Sequence, residues 1–201
     1  MEVLSSSSIL PTAIEQQKGA IKKNAMNEKK NTNINPPIKK DMLYHKSMLE
    51  MFVLLLPSQI GANGKTKENI RHTIEYHIGG KCTAEGYVKP NSTQIQQYTN
   101  GTAKLDKIEF LVVFECLVCN PVEGMWLNGC EVKSITKAGI HAHKYDEDKN
   151  LPVTIFVIRD HFINNPRFQN IKEEDMIDVK VIGQRFELNN TCIEVIAELA
   201  K

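Results

Sequence analysis

The stretch Gly124 to His143, GMWLNGCEVKSITKAGIHAH, decides how the C-terminal half of the chain is read. Val132 and Ile135 supply apolar anchors, and Ser134 and Thr136 favour extended backbone. Gly139 marks a position where the chain can bend sharply or take a positive φ without a Cβ clash. Ile140, His141, Ala142 and His143 follow, and on a strand the two imidazoles at i and i+2 share one face. The segment predicts an opening β-hairpin.

A second hairpin lies near the C-terminus. Met176 to Leu199, MIDVKVIGQRFELNNTCIEVIAEL, puts Ile177, Val179 and Val181 on one face, turns at Asn189 and Asn190, and returns through Ile193, Val195 and Ala197. Asparagine tolerates positive φ, which gives the turn a mechanism. Between the hairpins Val153 to Ile158, VTIFVI, is an apolar run suited to a buried central strand. Five short strands with glycine bends describe an all-β barrel of the OB type, which manages its sheet edges by near closure.

Working toward the N-terminus, Pro121 separates the barrel, residues 121–201, from a domain over 42–120. Lys107 to Cys119, KIEFLVVFECLVC, is apolar almost throughout and reads as one long strand. Lys81–Val88 and Ser92–Tyr98 read as two more, with Thr99-Asn100-Gly101 as a turn, and Met51–Leu56 as a first strand stopped by Pro57. Thr66 to Ile78 places Ile70, Ile74 and Ile78 on one helix face, with Gly79 and Gly80 as the stop. Residues 1–41 carry SSSS, several Lys and Asn and the Pro36-Pro37 pair without apolar periodicity, which is the composition of a disordered extension.

Charge and cysteine usage narrow the function. Residues 1–40 carry seven Lys against three Glu, a net of +4, while residues 121–201 carry ten basic against thirteen acidic groups, a net of −3. The barrel half is therefore no general polyanion binder, and its affinity for nucleic acid must be local or modest. The apolar run Met51–Leu56 is far short of the roughly 20 residues that span a bilayer, so no membrane span is expected. Met1 to Leu10 has neither a basic n-region nor an apolar core, which argues against a secretory signal. Five cysteines in no dense framework fit a reducing intracellular compartment.

In order and spacing, several motifs resemble one family. They are the first strand and helix, GKCTAEGYV at Gly80–Val88, IEFLVVFECLVCNPVEG at Ile108–Gly124, VKSITKAGI at Val132–Ile140 and DVKVIGQRF at Asp178–Phe186. From Phe52 to Leu199 the chain resembles the stalk subunit of archaeal and eukaryotic DNA-dependent RNA polymerases, called Rpb-seven or E-prime. The resemblance implies an α+β protein, with a truncated RNP-like domain of one helix on an antiparallel sheet, then an OB-fold barrel. It implies a non-catalytic subunit without cofactor or metal, docked on the polymerase core, paired with a small helical stalk partner and contacting nascent single-stranded RNA. It places the protein inside the cell with the transcription machinery. The extension and the divergence resemble versions encoded by large DNA viruses, for which that place is the nucleus, or a cytoplasmic viral factory and the virion. Two departures stand out. Gly124 to Val132 is one residue longer than the usual barrel pattern, as a β-bulge would make it, and Ile140 stands where many such barrels carry an aromatic.

The resemblance nominates site residues. His141, His143, Phe156, Arg159, His161 and Arg185 lie on or beside the strands that form the RNA face in similar barrels. Rings stack on bases and guanidinium groups pair with phosphate. Tyr98, Asn100, Gly101 and Lys104 lie in the turn that forms the docking tip of the family. Blander readings stand beside these: Phe156 as core, Arg159 paired with Asp160, and the tip as a solvent turn. Cys116 and Cys119 form a CxxC, but i and i+3 of a strand point to opposite faces, which favours buried thiols over zinc. GxSxG, GK[ST] and HExxH motifs are absent, which leaves an enzyme little to stand on. The competing function is a free-standing OB-fold RNA-binding protein of translation or RNA decay, with a metal enzyme built on His141, His143 and His161 a minor third.

Overall fold

The computed structural model describes residues 43–61, 65–159, 168 and 170–200. The expected extension, residues 1–41, and His161 lie outside them. The fold is mostly β, with one α-helix, an antiparallel sheet and a closed barrel.

The sheet is organised on one strand. β1 (His45–Leu55) runs antiparallel to β6 (Lys107–Cys119) along its whole length, from His45 opposite Val118 to Leu55 opposite Ile108. The apolar run of β6 is resolved by its period of two: Phe110, Val112, Phe114, Cys116 and Val118 are buried on one face. α1 (Lys65–Ile78) covers that face with Ile70 and Ile74, both fully buried, and each such burial stabilises by roughly 1.5–3 kcal/mol. Pro57 ends β1 as expected by opening a 3₁₀ turn, Pro57–Gln59, in which the Gln59 Oε1 accepts from Leu56 N at 2.9 Å. β4 (Gln94–Tyr98) and β5 (Thr102–Lys104) take the other edge of β6. Two expectations change. β1 starts at His45, not Met51, and Lys81–Val88 is a tight hairpin, β2 (Cys82–Thr83) with β3 (Gly86–Val88), not one strand.

The barrel closes in the order β10 (Met176–Arg185), β11 (Ile193–Leu199), β9 (Val153–Ile158), β8 (Gly139–Lys144), β7 (Trp126–Ile135), with β7 returning to β10. All pairs are antiparallel except β9 with β11, and the result is an OB-like barrel. The inward residues alternate as the sequence predicts: Ile177, Val179 and Val181 face Ile193, Val195 and Ala197, all buried. Two glycines make the closure possible. β7 carries one extra residue here, Asn128 and Gly129 standing opposite the single residue Asp178, a bulge with Gly129 at φ +60 whose N–H donates to Asp178 Oδ1 at 2.8 Å. Gly139 opens β8 at φ +154, and a Cβ there would overlap the Val157 carbonyl oxygen.

Sheet and barrel are laced together. Cys82 N donates to Asn190 O at 2.7 Å and Asn189 N to Cys82 O at 2.8 Å, so the β2–β3 hairpin docks on the β10–β11 turn. Cys82, Tyr87 and Cys119 of the sheet belong to the barrel's core, whereas Cys116 belongs to the core under α1. The CxxC is thus split between two cores. Beside it, Tyr44 Oη donates to Asp146 Oδ2 at 2.9 Å, and Asp146 also accepts from Asp148 N, Asn150 N and Asn150 Nδ2 at 2.8–2.9 Å. Lys89 reaches Asp148 at 2.7 Å and lies over the Tyr44 ring at 5.4 Å.

Burial raises the Asp146 carboxyl, but the hydrogen bonds from Asn150, then Tyr44 and Asp148, outweigh it and hold the group below its ordinary 3.8. A depressed carboxylate stabilises the fold above its unfolded value and loses that contribution as pH falls through its folded value. Stability measured by urea unfolding is therefore expected to decline on acidification below about pH 4. Asp146→Ala is expected to cost about 1–2 kcal/mol at neutral pH and to flatten that decline, the site being half open to solvent. An unaltered acid limb in the variant would place the pH dependence elsewhere.

Candidate nucleic-acid interface

The barrel's outer face is built by register. His141 and Phe156 are direct cross-strand partners on β8 and β9, and Phe156 is opposite Ile196 on β11, which is opposite Gly183 on β10. The next row of cross-strand partners on this face is His143, Thr154, Glu194 and Arg185, of which Thr154 is buried. Because β-strands send alternate side chains outward, these rows put the nominated His141, His143, Phe156 and Arg185 on one continuous surface.

Rings dominate one side of it. The His141 and Phe156 rings stack with centroids 4.8 Å apart and planes 17° from parallel. His143 stands edge-on to His141 at 4.9 Å, and Tyr145 edge-on to His143 at 5.8 Å, with His143 Nδ1 and Tyr145 Oη 3.0 Å apart. Phe156 is 41% exposed, which settles the choice between core and surface at that position in favour of surface. Ile140, by contrast, is buried at 1%, so its side chain belongs to the core and takes no platform from the outer face.

Tyr145 and Lys133 join the site unannounced by the sequence. Lys133 Nζ lies 5.3 Å over the Tyr145 ring and pairs with Glu131 at 2.6 Å. Tyr145 sits just beyond β8, in a run of charged residues that looks like loop. Only its spacing of two from His143 could have placed it on the same face. Burial, then the neighbouring His141 and Lys133, lowers the His143 pKa, so its ring is neutral near pH 7 and serves as a stacking and hydrogen-bonding group there.

The guanidinium groups lie apart. Arg159 is exposed just past β9, its backbone N–H donating to Ala138 O at 3.0 Å beside a shallow groove of about 360 Å³ bordered by His141, Phe156 and Ser134. Arg185 is on the opposite flank of Phe156 and pairs with Glu187 at 3.2 Å, both largely exposed. The surface combines rings with cations of both flanks and with Glu131, Glu187 and Glu194. It suits stacking on unpaired bases more than capture of a phosphate backbone.

At the other end of the sheet the tip residues cluster around β4, β5 and the start of β6. Asn100 and Gly101 are exposed in the β4–β5 turn. Tyr98 packs edge-on against Phe110 at 6.1 Å while 39% exposed, and Lys104 pairs with Glu109 at 2.6 Å. The apex is Leu105, which carries no signature in the sequence. It stands in the two-residue β5–β6 turn at φ +54, fully exposed, an apolar side chain in a conformation that leucine rarely takes. Met48, Phe52 and Leu54 are exposed on the outward side of β1.

No helix among the described residues is long and apolar enough to cross a membrane. Set beside known proteins, the chain matches no family model and no curated protein sequence.

Proposed function

We propose that this protein is a non-catalytic stalk subunit of a multisubunit DNA-directed RNA polymerase. The sheet is its truncated RNP-like half and docks on the core enzyme through the tip, a small helical partner lies along the seam with the barrel, and the barrel's ring-bearing face contacts the emerging transcript. The observation that carries this reading is the pairing of two exposed surfaces on one laced body: Leu105 and Tyr98 at the tip, and the stacked His141 and Phe156 on the barrel. A tip with an exposed, strained apolar apex suits insertion into a protein pocket. A net of −3 over residues 121–201 suits an RNA contact that docking holds in place, since tethering supplies an effective concentration that charge need not.

Purification of the tagged protein from its native transcription setting under gentle salt tests the reading. Large polymerase subunits are expected to come with it, and Leu105→Asp is expected to lose them. Recovery without any such subunit would falsify the stalk assignment. For the barrel, Phe156→Ala is expected to weaken binding of short single-stranded RNA about fivefold or more in fluorescence anisotropy, the yield of one stacking platform. Unchanged affinity would remove Phe156 from the interface.

A further inference from the structure

His141 covers only one face of the Phe156 ring. On the other side of that ring, toward β11 and β10, lies a groove of about 410 Å³ bordered by Ile158, Ile196, Gly183, Arg185 and Glu194. Its apolar part is Phe156 with Ile196, 41% and 44% exposed. Gly183, the cross-strand partner of Ile196, leaves its own position on the groove empty: an added Cβ there would meet no atom within 4 Å. The groove has one aromatic wall, Phe156, and its volume is large enough to take one planar ring system.

The polar rim decides which ring system. Among the described residues no hydrogen bond or ion pair holds the Glu194 carboxylate. Its cross-strand partner Arg185 is turned to Glu187 instead, and Gln184 is engaged at the seam, donating to Asn120 Oδ1 at 2.6 Å. Glu194 therefore offers two acceptor oxygens and no donor to whatever enters. Adenine, cytosine and uracil each present at least one acceptor in the middle or on both sides of their pairing edge, which a carboxylate repels. Guanine alone presents two adjacent donors, N1–H and the N2 amino group, matched to both oxygens at once. Arg185 stands on the same rim, where its donors can meet the guanine O6 or an adjoining phosphate.

We propose that the slot between Phe156 and Gly183 holds a guanine base of single-stranded RNA, stacked on Phe156 and selected by Glu194. Resting on the RNA reading above, it extends the interface from the His141 side of Phe156, which recognises no particular base, to a flank that does.

Fluorescence anisotropy of the full chain, with short single-stranded uridine oligonucleotides carrying one central guanine, adenine, cytosine or uracil, tests the slot. The guanine strand is expected to bind about fivefold or more tighter, the low end for a bidentate base contact because the rim is solvated. Glu194→Gln is expected to abolish that preference while leaving or raising affinity for the plain uridine strand, since it removes a negative charge. Gly183→Leu, whose Cβ would meet no atom within 4 Å, is expected to do the same by filling the slot. Equal binding of all base variants by the unaltered protein, or a guanine preference that survives Glu194→Gln, overturns the slot and leaves the RNA reading intact. Guanosine monophosphate binding as tightly as the guanine strand overturns the claim that the ligand is a strand. Absence of binding to every oligonucleotide overturns the RNA reading and the slot together.

Discussion

Gly139→Val is expected to leave the barrel largely unfolded under conditions in which the unaltered protein is native. The φ of +154 at this position is one that a β-branched residue does not reach, and the added Cβ would be driven into the Val157 carbonyl oxygen on the adjacent strand. Relief requires either a break in the β8–β9 ladder or a shift of β8 away from the core that Ile140 and Ala142 fill. Backbone strain and overpacking each cost about 1–3 kcal/mol, and together they consume much of the roughly 5–15 kcal/mol that holds a domain folded. The chain's single tryptophan, Trp126 on β7, reports the outcome directly. Urea unfolding followed by its fluorescence should show the midpoint displaced far toward zero denaturant, and a midpoint within error of the parent would contradict the geometry at Gly139.

Phe114→Ala is the second large effect, at about 3–5 kcal/mol, the usual cost of emptying a fully buried aromatic site. Phe114 is 1% exposed and among the largest side chains sealed between the sheet and α1. It lies in the sheet, yet its loss is expected to lower the unfolding midpoint read from Trp126 in the barrel as well as that read from far-ultraviolet circular dichroism. The reason is the lacing: Cys82, Tyr87 and Cys119 of the sheet are part of the barrel's core, and burial pushes the Cys82 thiol up to about 11 and the Tyr87 phenol up to about 12. A sheet that melts withdraws those side chains and opens the barrel. Two separated transitions, with the tryptophan signal unmoved by the substitution, would show that the seam transmits nothing.

Much of this architecture was legible wherever one periodicity ran without interruption. β6 and β9 carry the bounds read from their apolar runs, and Ile70 and Ile74 face the core as their spacing of four requires. β1 is legible only from Met51 because His45, Lys46, Ser47 and Glu50 dilute its first half. Pairing with β6 makes those residues strand all the same: Lys46 and Glu50 share the outward face with Met48 and Phe52, where polar side chains stay in water, and His45 is exposed at the strand's end. The β2–β3 hairpin is hidden in the sequence because Ala84 and Glu85 lack turn chemistry, leaving the turn to Gly86 at φ +127.

At the candidate site the residue types were readable but their neighbours were not. VTIFVI is apolar at every position but Thr154, so nothing in it singles out Phe156 as the exposed side chain. That follows from pairing with His141 and Ile196 across two different strands. Glu194 and Gly183 have no signature at all in the chain and acquire meaning only when a parallel and an antiparallel neighbour bring them to the same groove. Leu105 escaped for the opposite reason: Leu-Asp is a poor turn sequence, and the short β5–β6 connection imposes a backbone that the residue itself disfavours.

β6 has one further consequence. It leaves the Leu105 turn at Lys107 and ends at Cys119 inside the core of the barrel, thirteen residues without a break, a span of about 40 Å. A strand flanked along its length by β1 on one edge and by β3, β4 and β5 on the other cannot bend locally without breaking ladders on both sides. It behaves as a lever arm. A partner that gripped the tip would thereby set the angle of the barrel, since a rotation of about 5° at one end swings the other through about 3–4 Å, comparable to one step along a stacked strand of bases.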